Sequence, residues 1–325
     1  MNNINFMNVI KKKIAFVFPG QGSQKVGMGY DLYLEHKAAK EVFQSVDETL
    51  KRNLSKIIFH GESEQLTKTY NTQPALMAVS IALVRVLEYE LKKNFYEIAS
   101  IVSGHSLGEY SALCSINVLS LDDASRLLEI RGKSMQSAVK NEETQMTAVL
   151  GVKIQTVEEI INKNFDSGIC DIANDNCPGQ IVLSGHKSKL KNISGKLKDL
   201  GAKVINLNVS APFHSSLMQP AADIMKSELE NVNFNKFKTK FINNVEANFC
   251  DDEEKIKRLL VEQVTKKVRW SETINLIARK DHNDIVEIGS GKVLTGLNRR
   301  MGLGVSTLNL GSMQEVEEFL NKFYK

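Results

Sequence analysis

The sequence predicts an α/β fold, in which a mostly parallel sheet is covered by helices and a smaller ferredoxin-like subdomain is inserted. Two patterns support this prediction. Short apolar runs that end at glycine or proline alternate with longer segments whose apolar residues recur at helical spacing. Between about residues 145 and 209 the order of elements becomes β-α-β-β-α-β, which is the ferredoxin-like pattern. Strands that alternate with helices indicate parallel pairing, with both faces of the sheet covered.

The main sheet is predicted from three apolar runs. The first, Lys13 to Phe18, is followed directly by a proline and a glycine, so a buried strand is expected to end there. Ile98 to Val102 and Asp284 to Ile288 are predicted as further strands, and the glycines after the last one lead into a helix from Lys292. Between the first two strands, Pro74 to Lys93 keeps apolar residues at helical spacing and is predicted to be a helix.

The inserted subdomain is predicted to occupy residues 138–211, and the larger α/β-hydrolase-like subdomain residues 1–137 and 212–325. A polar turn, Asn174 to Gly179, is expected to join two strands of the insert. A cleft is expected between the subdomains, where small-molecule sites usually form. The strands predicted in the insert are Met146–Val152, Gly168–Ala173, Gln180–Ser184 and Lys203–Val209, and its helices are Thr156–Asn164 and Ser188–Leu200.

Composition indicates an ordinary globular protein. Of the 325 residues, 42% are hydrophobic and 25% charged, which argues against disorder, and a net charge of +4 is too small to indicate nucleic-acid binding. The longest apolar stretch, Ala75 to Leu87, is too short to cross a bilayer, and the polar segment Met1 to Lys13 is predicted to be a short tail rather than a signal peptide. The four cysteines lack metal-ligand spacing. A cytoplasmic protein without metal is therefore expected.

A serine stands in the frame Gly104-His105-Ser106-Leu107-Gly108, directly after an apolar run and before a helix-like run. This is the sequence form of a nucleophile elbow, in which a sharp strand-to-helix turn exposes a serine. The helix that follows offers backbone N–H groups and its positive end to an oxyanion that forms at the serine. The sequence therefore predicts an acyl-serine intermediate on Ser106.

Three other segments are candidates for the same site. The glycine-rich turn Phe18 to Gln24 follows the first strand and can point backbone N–H groups into a site, although it lacks the phosphate-loop frame. Arg131 is predicted near the end of a helix. His214, in the segment Pro212 to Ser215, lies where the insert returns to the main domain.

In this order, these segments resemble the malonyl-CoA:acyl-carrier-protein transacylases of bacterial type II fatty-acid synthesis, and the related acyltransferase domains of polyketide synthases. The resemblance runs along nearly the whole chain, so it is far more specific than the serine frame alone. Its motifs are GQGSQ at Gly20–Gln24, GHSLGEYSAL at Gly104–Leu113, RGKSMQ at Arg131–Gln136, NDNCPGQIVLSG at Asn174–Gly185, PFHS at Pro212–Ser215 and EIGSGKVLTGL at Glu287–Leu297.

The resemblance implies a transfer of the malonyl group from malonyl-CoA to the phosphopantetheine thiol of acyl carrier protein by ping-pong chemistry. Ser106 would attack the thioester, and His214 would act as the general base. The backbone carbonyl of Gln263, rather than an aspartate, would orient the histidine. The expected partners are therefore malonyl-CoA, CoA and acyl carrier protein, with no cofactor, no nucleic acid, no membrane and a monomeric enzyme.

The resemblance also implies how the substrate is held. The backbone N–H groups of Gln21 and Leu107 would form the oxyanion hole. Arg131 would bind the free malonyl carboxylate through its planar fork of donors. A bulky ring just before the histidine would favour malonyl over methylmalonyl. The residues expected to line the cleft are Met135, Asn174, Asn176 and Phe213.

Several alternatives remain open at this stage. His105 could be the base, although adjacent residues on a tight turn rarely aim at one point, and Arg131 could merely stabilise its helix end. Because Asp171 and Asp175 lie between the serine and the histidine in the sequence, a serine esterase or thioesterase is the second hypothesis. A non-catalytic docking subunit is the third.

Overall fold

The computed structural model describes residues 13–139, 142–165, 167–209, 211–280 and 282–324. The predicted tail lies outside these residues except for Lys13. Among the described residues, no helix combines the length and the apolar character that a membrane crossing needs.

The main sheet has six strands in the order β10-β9-β1-β2-β7-β8. The first five pair in parallel, and the two-residue edge strand β8 pairs antiparallel to β7. Central strands of such a sheet are covered on both faces, and every residue of β1 and β2 is buried. The strands are β1 Ile14–Phe18, β2 Ile101–Gly104, β7 Lys240–Ile242, β8 Phe249–Cys250, β9 Asp284–Ile288 and β10 Ser306–Leu310.

Helices cover this sheet, and the longest of them, α5, is buried on nearly all sides. Because α5 has no polar face, it is a core helix rather than an amphipathic surface helix. The helices around the main sheet are α1 Tyr30–Glu35, α2 Lys37–Leu50, α3 Leu54–His60, α4 Ser63–Thr67, α5 Thr69–Leu91, α6 Phe95–Ile98, α7 Gly108–Ser115, α8 Leu121–Ser137, α11 Gln219–Glu230, α12 Glu253–Gln263, α13 Trp270–Ala278, α14 Val293–Arg300 and α15 Met313–Phe323.

The insert forms a separate four-stranded antiparallel sheet in the order β4-β5-β3-β6, with its own apolar core against two helices. The chain order is β-α-β-β-α-β, so the predicted α/β fold with a ferredoxin-like insert is confirmed. The exact division at residues 137 and 212 stays a prediction. The elements of the insert are β3 Thr144–Leu150, α9 Ile154–Lys163, β4 Cys170–Cys177, β5 Gln180–His186, α10 Lys187–Asp199 and β6 Lys203–Asn206.

Two local predictions were wrong. The run predicted as a strand from Ile98 contains the end of α6, a short helix closed by a capping box between Asn94 and Glu97, and β2 begins only at Ile101. The predicted turn from Asn174 is largely strand, because β4 continues to Cys177. Its extension is stabilised by the main domain, since Asp175 N–H donates to Val268 O at 3.0 Å.

Close backbone packing explains two glycines of the serine frame. A Cβ on Gly104 would lie 1.9 Å from the carbonyl carbon of Gly108, and one on Gly108 would lie 2.2 Å from the carbonyl oxygen of Phe18. Both contacts are with backbone, which cannot move aside without shifting β1 or α7. The serine turn is therefore pressed against the first strand.

We expect Gly108→Ala to lower the free energy of unfolding by at least about 3 kcal/mol, because the added methyl group collides with a central strand. The matched control is Gly195→Ala, at an exposed position of helix α10 with nothing near its Cβ. That change should stabilise the protein by about 0.5–1 kcal/mol, since alanine favours a helix over glycine. Urea denaturation of both variants measures the difference, and similar effects would contradict the packing argument.

Candidate active site

The site forms where three neighbouring strands of the main sheet end. Phe18 of β1 pairs with Gly104 of β2, and Ser103 of β2 pairs with Ile242 of β7, so the three carboxyl ends are aligned. The loops that follow them carry Gln21, Ser106 and Asn244. Ligands of open α/β sheets bind at this edge of the sheet.

Ser106 lies in the turn between β2 and α7 with a φ of 54°, in the left-handed region that a residue other than glycine rarely adopts. Both of its peptide groups are held by side chains. Its N–H donates to Asn244 Oδ1 at 2.8 Å, and its carbonyl accepts from Gln263 Nε2 at 2.9 Å. These bonds fix the direction of its side chain.

His214 contacts Ser106 directly. Its Nε2 lies 2.7 Å from Ser106 Oγ, and its Nδ1 lies 2.8 Å from the backbone oxygen of Gln263. Because a carbonyl only accepts, Nδ1 of the neutral ring carries the proton, which leaves the lone pair of Nε2 facing the serine hydroxyl. The geometry supplies a base for Ser106 without a carboxylate.

The surroundings of His214 keep it uncharged. Burial, reinforced by the positive charge of Arg131, lowers the pKa of His214 to about 3, although the carbonyl of Gln263 acts in the opposite direction. The imidazole is therefore neutral at physiological pH. A neutral ring is the form that can accept a proton.

Arg131 lies within α8, and its side chain is almost fully buried. Its Nη1 donates to Gln73 Oε1 and its Nη2 to Gln263 Oε1, both at 2.8 Å, and Nη2 lies 3.3 Å from Ser106 Oγ. Burial lowers the pKa of this guanidinium. Among the described residues no carboxylate lies within ion-pair distance of it, so its charge is held by neutral amides beside the serine hydroxyl.

A cavity of about 390 Å³ opens onto Ser106, His214 and Arg131. It lies between the end of the main sheet and the insert, as the predicted cleft requires. The lining includes the four predicted cleft residues, Met135, Asn174, Asn176 and Phe213. It also includes Gln21 and Leu107, whose backbone N–H groups were expected to form the oxyanion hole.

The alternative base and the alternative acid are bonded to other partners. The Nε2 of His105 is 2.9 Å from Asn176 Oδ1, and its ring packs against Trp270 rather than pointing at Ser106 Oγ. Asp171 accepts three hydrogen bonds from Ser215 and Ser216, in the turn after His214. The Nδ1 of His214 is instead bonded to the backbone carbonyl of Gln263. The contact between an acidic residue and the histidine that the esterase hypothesis requires is therefore replaced by a carbonyl.

Sequence reasoning missed four contributions to the site: Gln73, Glu109, Asn244 and the side chain of Gln263, whose backbone alone was expected to act. Glu109 is fully buried and accepts from Asn244 N–H at 2.6 Å and from Gln263 Nε2. Burial raises the pKa of Glu109 to about 8, against the opposing effect of these donors. The signal available in the sequence was the position of Glu109, an acidic residue in the helix that directly follows the serine turn.

Metal binding has no candidate among the described residues, because no group of three or more His, Cys, Asp or Glu side chains is arranged to hold an ion.

Comparison with known proteins agrees with the fold. The family model described as acyl transferase domain matches residues 15 to 305. The malonyl CoA-acyl carrier protein transacylase of Bacillus subtilis (strain 168) is 41% identical over 308 residues, which cover 94% of this chain and 95% of that protein. The chain therefore belongs to the acyl transferase family, among the malonyl CoA-acyl carrier protein transacylases, and the resemblance seen in the sequence is confirmed.

Solved structures give the same result. The crystal structure of acyl-carrier-protein-S-malonyltransferase from Bartonella henselae superposes with a TM-score of 0.93 and 48% identity, covering 96% of this chain and 99% of that one. A malonyl-transacylase solved in complex with its type II PKS acyl-carrier protein has a TM-score of 0.91 and 35% identity, with 96% and 100% covered.

The lowered pKa of His214 predicts an acid-dependent loss of stability. As the pH falls below 6.5, the unfolded chain protonates this histidine while the folded protein does not until about pH 3. The free energy of unfolding should therefore decrease as the pH is lowered across that window, by about 1.5 kcal/mol between pH 6.5 and 5 from this group. His214→Gln removes the effect, so urea midpoints should fall less between these pH values in the variant. Equal slopes would contradict the prediction.

Proposed function

We propose that the protein transfers the malonyl group from malonyl-CoA to the phosphopantetheine thiol of acyl carrier protein through a malonyl-serine intermediate on Ser106. One observation supports this proposal above the others. The guanidinium of Arg131 lies 3.3 Å from the serine oxygen, buried and without an ion-pair partner among the described residues. A buried cation beside a nucleophile suits an acyl group that carries its own negative charge.

In the first half-reaction, His214 Nε2 takes the hydroxyl proton while Ser106 Oγ attacks the thioester carbonyl of malonyl-CoA. The negative charge passes to the carbonyl oxygen, for which we propose the backbone N–H groups of Gln21 and Leu107 as donors. When the tetrahedral intermediate collapses, its carbon–sulfur bond breaks. His214 then returns its proton to the thiolate, so CoA leaves as a neutral thiol.

The second half-reaction repeats these steps with the thiol of acyl carrier protein. His214 takes the thiol proton, and the sulfur attacks the carbonyl of the malonyl-serine. Collapse breaks the ester bond and forms the new thioester, and the proton held by His214 goes to Ser106 Oγ. The enzyme regains its starting state, so neither a cofactor nor a metal is consumed.

The orientation of the acyl group follows from the positions of Arg131 and Phe213 on the cavity wall. The malonyl carboxylate would replace water on the guanidinium, with charge-assisted hydrogen bonds to the planar fork. The Phe213 ring, next to His214, would crowd a substituent on the α-carbon. This arrangement favours malonyl over methylmalonyl.

Intact-protein mass spectrometry with malonyl-CoA tests the proposal. We expect a malonyl adduct on the wild-type protein that disappears onto holo acyl carrier protein, and no adduct on Ser106→Ala. An adduct lost equally fast to water without carrier protein would favour the hydrolase hypothesis. No adduct on the wild-type protein would leave the docking subunit as the better interpretation.

Replacing Arg131 should change acyl specificity. Arg131→Ala is expected to slow malonyl transfer by about 10²-fold or more while it spares acetyl transfer, because only malonyl carries a free carboxylate. Arg126→Ala is the matched control, since Arg126 lies on the same helix but pairs with Glu228 and Asp123 at the surface. Steady-state rates with malonyl-CoA and with acetyl-CoA measure this difference in specificity. Equal losses of rate with both donors would mean that Arg131 has a structural role only.

A further inference from the structure

Asn244 holds the turn that carries the nucleophile from both sides. Its Nδ2 donates to the carbonyl of Gly104 at 2.7 Å, and its Oδ1 accepts from the N–H of Ser106 at 2.8 Å. One fully buried side-chain amide therefore bridges the peptide groups on either side of His105. The two partners also fix the amide orientation, because a carbonyl only accepts and a backbone N–H only donates.

The position of Asn244 is itself fixed by the surrounding network. Its backbone N–H donates to Glu109 Oε1 at 2.6 Å, and the other oxygen of Glu109 accepts from Gln263 Nε2. The same Nε2 lies 2.9 Å from the carbonyl of Ser106. Glu109 thus ties the loop after β7 to the residue that holds the far side of Ser106.

The conformation of Ser106 needs such a support. A φ of 54° is unfavourable for a serine, and in the unrestrained turn the backbone would relax toward negative φ. That relaxation would swing Oγ away from His214 Nε2, from which it now lies 2.7 Å. Small displacements of a reacting atom are costly to catalysis.

We propose that Asn244 is a positioning residue, whose side-chain amide holds Ser106 in the left-handed conformation that aims its oxygen at His214. The proposal rests on the proposed function, because it concerns the same nucleophile. The proposal assigns to Asn244 no contact with the substrate. Asn244 affects the acylation rate through the backbone of Ser106, and it does not affect recognition of the malonyl carboxylate.

The test compares Asn244→Ala with Asn243→Ala. Asn243 is equally buried and adjacent, but its side chain bonds only within its own loop, with Nδ2 donating to Asn248 O at 2.8 Å and Oδ1 accepting from Glu246 N–H at 2.7 Å. Both variants lose a buried amide that holds the same loop. Only Asn244→Ala releases the serine turn.

The first readout is the rate at which a fluorophosphonate labels Ser106, followed by mass spectrometry, with urea denaturation to show that each variant is folded. Labelling should slow by about 10- to 100-fold in Asn244→Ala and stay near the wild-type rate in Asn243→Ala. Malonyl and acetyl transfer should fall by the same factor, mainly in kcat. Wild-type labelling in Asn244→Ala, or equal slowing in both variants, would overturn the proposal.

The isosteric variant Asn244→Asp supplies a second readout, because it keeps the side-chain volume that Asn244→Ala removes. A protonated aspartic acid can donate to Gly104 O and accept from Ser106 N–H, as the amide does, whereas the carboxylate cannot donate. In the part of the chain that the structure describes, the charged or titratable groups of this network and its neighbours are Glu109, Tyr110, Arg131, His105 and His214. Glu109, when it is ionised, favours the protonated form of the aspartic acid, and the cation of Arg131 opposes it. Because the pKa of Glu109 is itself raised to about 8, the wild type at the same pH is the reference.

We expect the labelling deficit of Asn244→Asp, relative to wild type at the same pH, to shrink as the pH falls from about 9 to about 6. A deficit that does not change with pH would count against the hydrogen-bonding role. Because a fluorophosphonate needs no malonyl group, these results stand apart from the proposed function. A failure of that function would instead appear as a wild-type protein that does not accept malonyl-CoA.

Discussion

Gln263, the last residue of α12, bonds to Ser106, His214, Arg131 and Glu109, and no other residue in the described part of the chain is shown to bond to all four. Its backbone oxygen fixes the proton of His214, its Oε1 accepts from Arg131, and its Nε2 donates to the carbonyl of Ser106. Such a residue must be an amide. A glutamate there could not donate to Ser106, and its charge would pair with Arg131. The register of a single helix end therefore positions His214, Arg131 and Ser106 together.

The network around Gln263 also keeps Glu109 apart from Arg131. Glu109 is a buried acid in the same network as Arg131, but the side chain of Gln263 lies between them and bonds to both. If the carboxylate contacted Arg131 directly, it would fill the donors that an anionic substrate needs. Because the pKa of Glu109 is raised to about 8, this acid is mostly protonated at neutral pH. With Gln263 between them, Arg131 forms no ion pair with Glu109, and its Nη2 lies 3.3 Å from Ser106 Oγ.

The parts of the site that sequence predicted are those that local motifs carry. Ser106 was found because a strand, glycines and a helix surround it, and Arg131 and His214 because they belong to motifs in a recognisable order. Asn244 could not be found this way, since β7 has only three residues and such a run shows no periodicity. Its position depends on the pairing of β7 with β2, a long-range contact that no local pattern contains.

The two wrong local predictions have different origins, one local and one long-range. The residues before β2 are apolar enough to be a strand, but the capping box between Asn94 and Glu97 directs them into a helix. Asn174 belongs to a turn by propensity, and it becomes strand because β4 gains hydrogen bonds with Val268 of the main domain. In both cases a few specific hydrogen bonds outweigh the composition of the segment.

Under the proposed function, the electrostatics of the site couple substrate recognition to the strength of the base. Arg131 contributes to the low pKa of His214, and in the absence of an anion its charge makes the imidazole a weaker base. A malonyl carboxylate on the guanidinium would offset that charge and raise the proton affinity of His214 while the thioester is present. The malonyl-serine would keep this carboxylate on the guanidinium after CoA leaves. The same effect would therefore strengthen His214 as a base in the second half-reaction, when it takes the proton of the carrier-protein thiol.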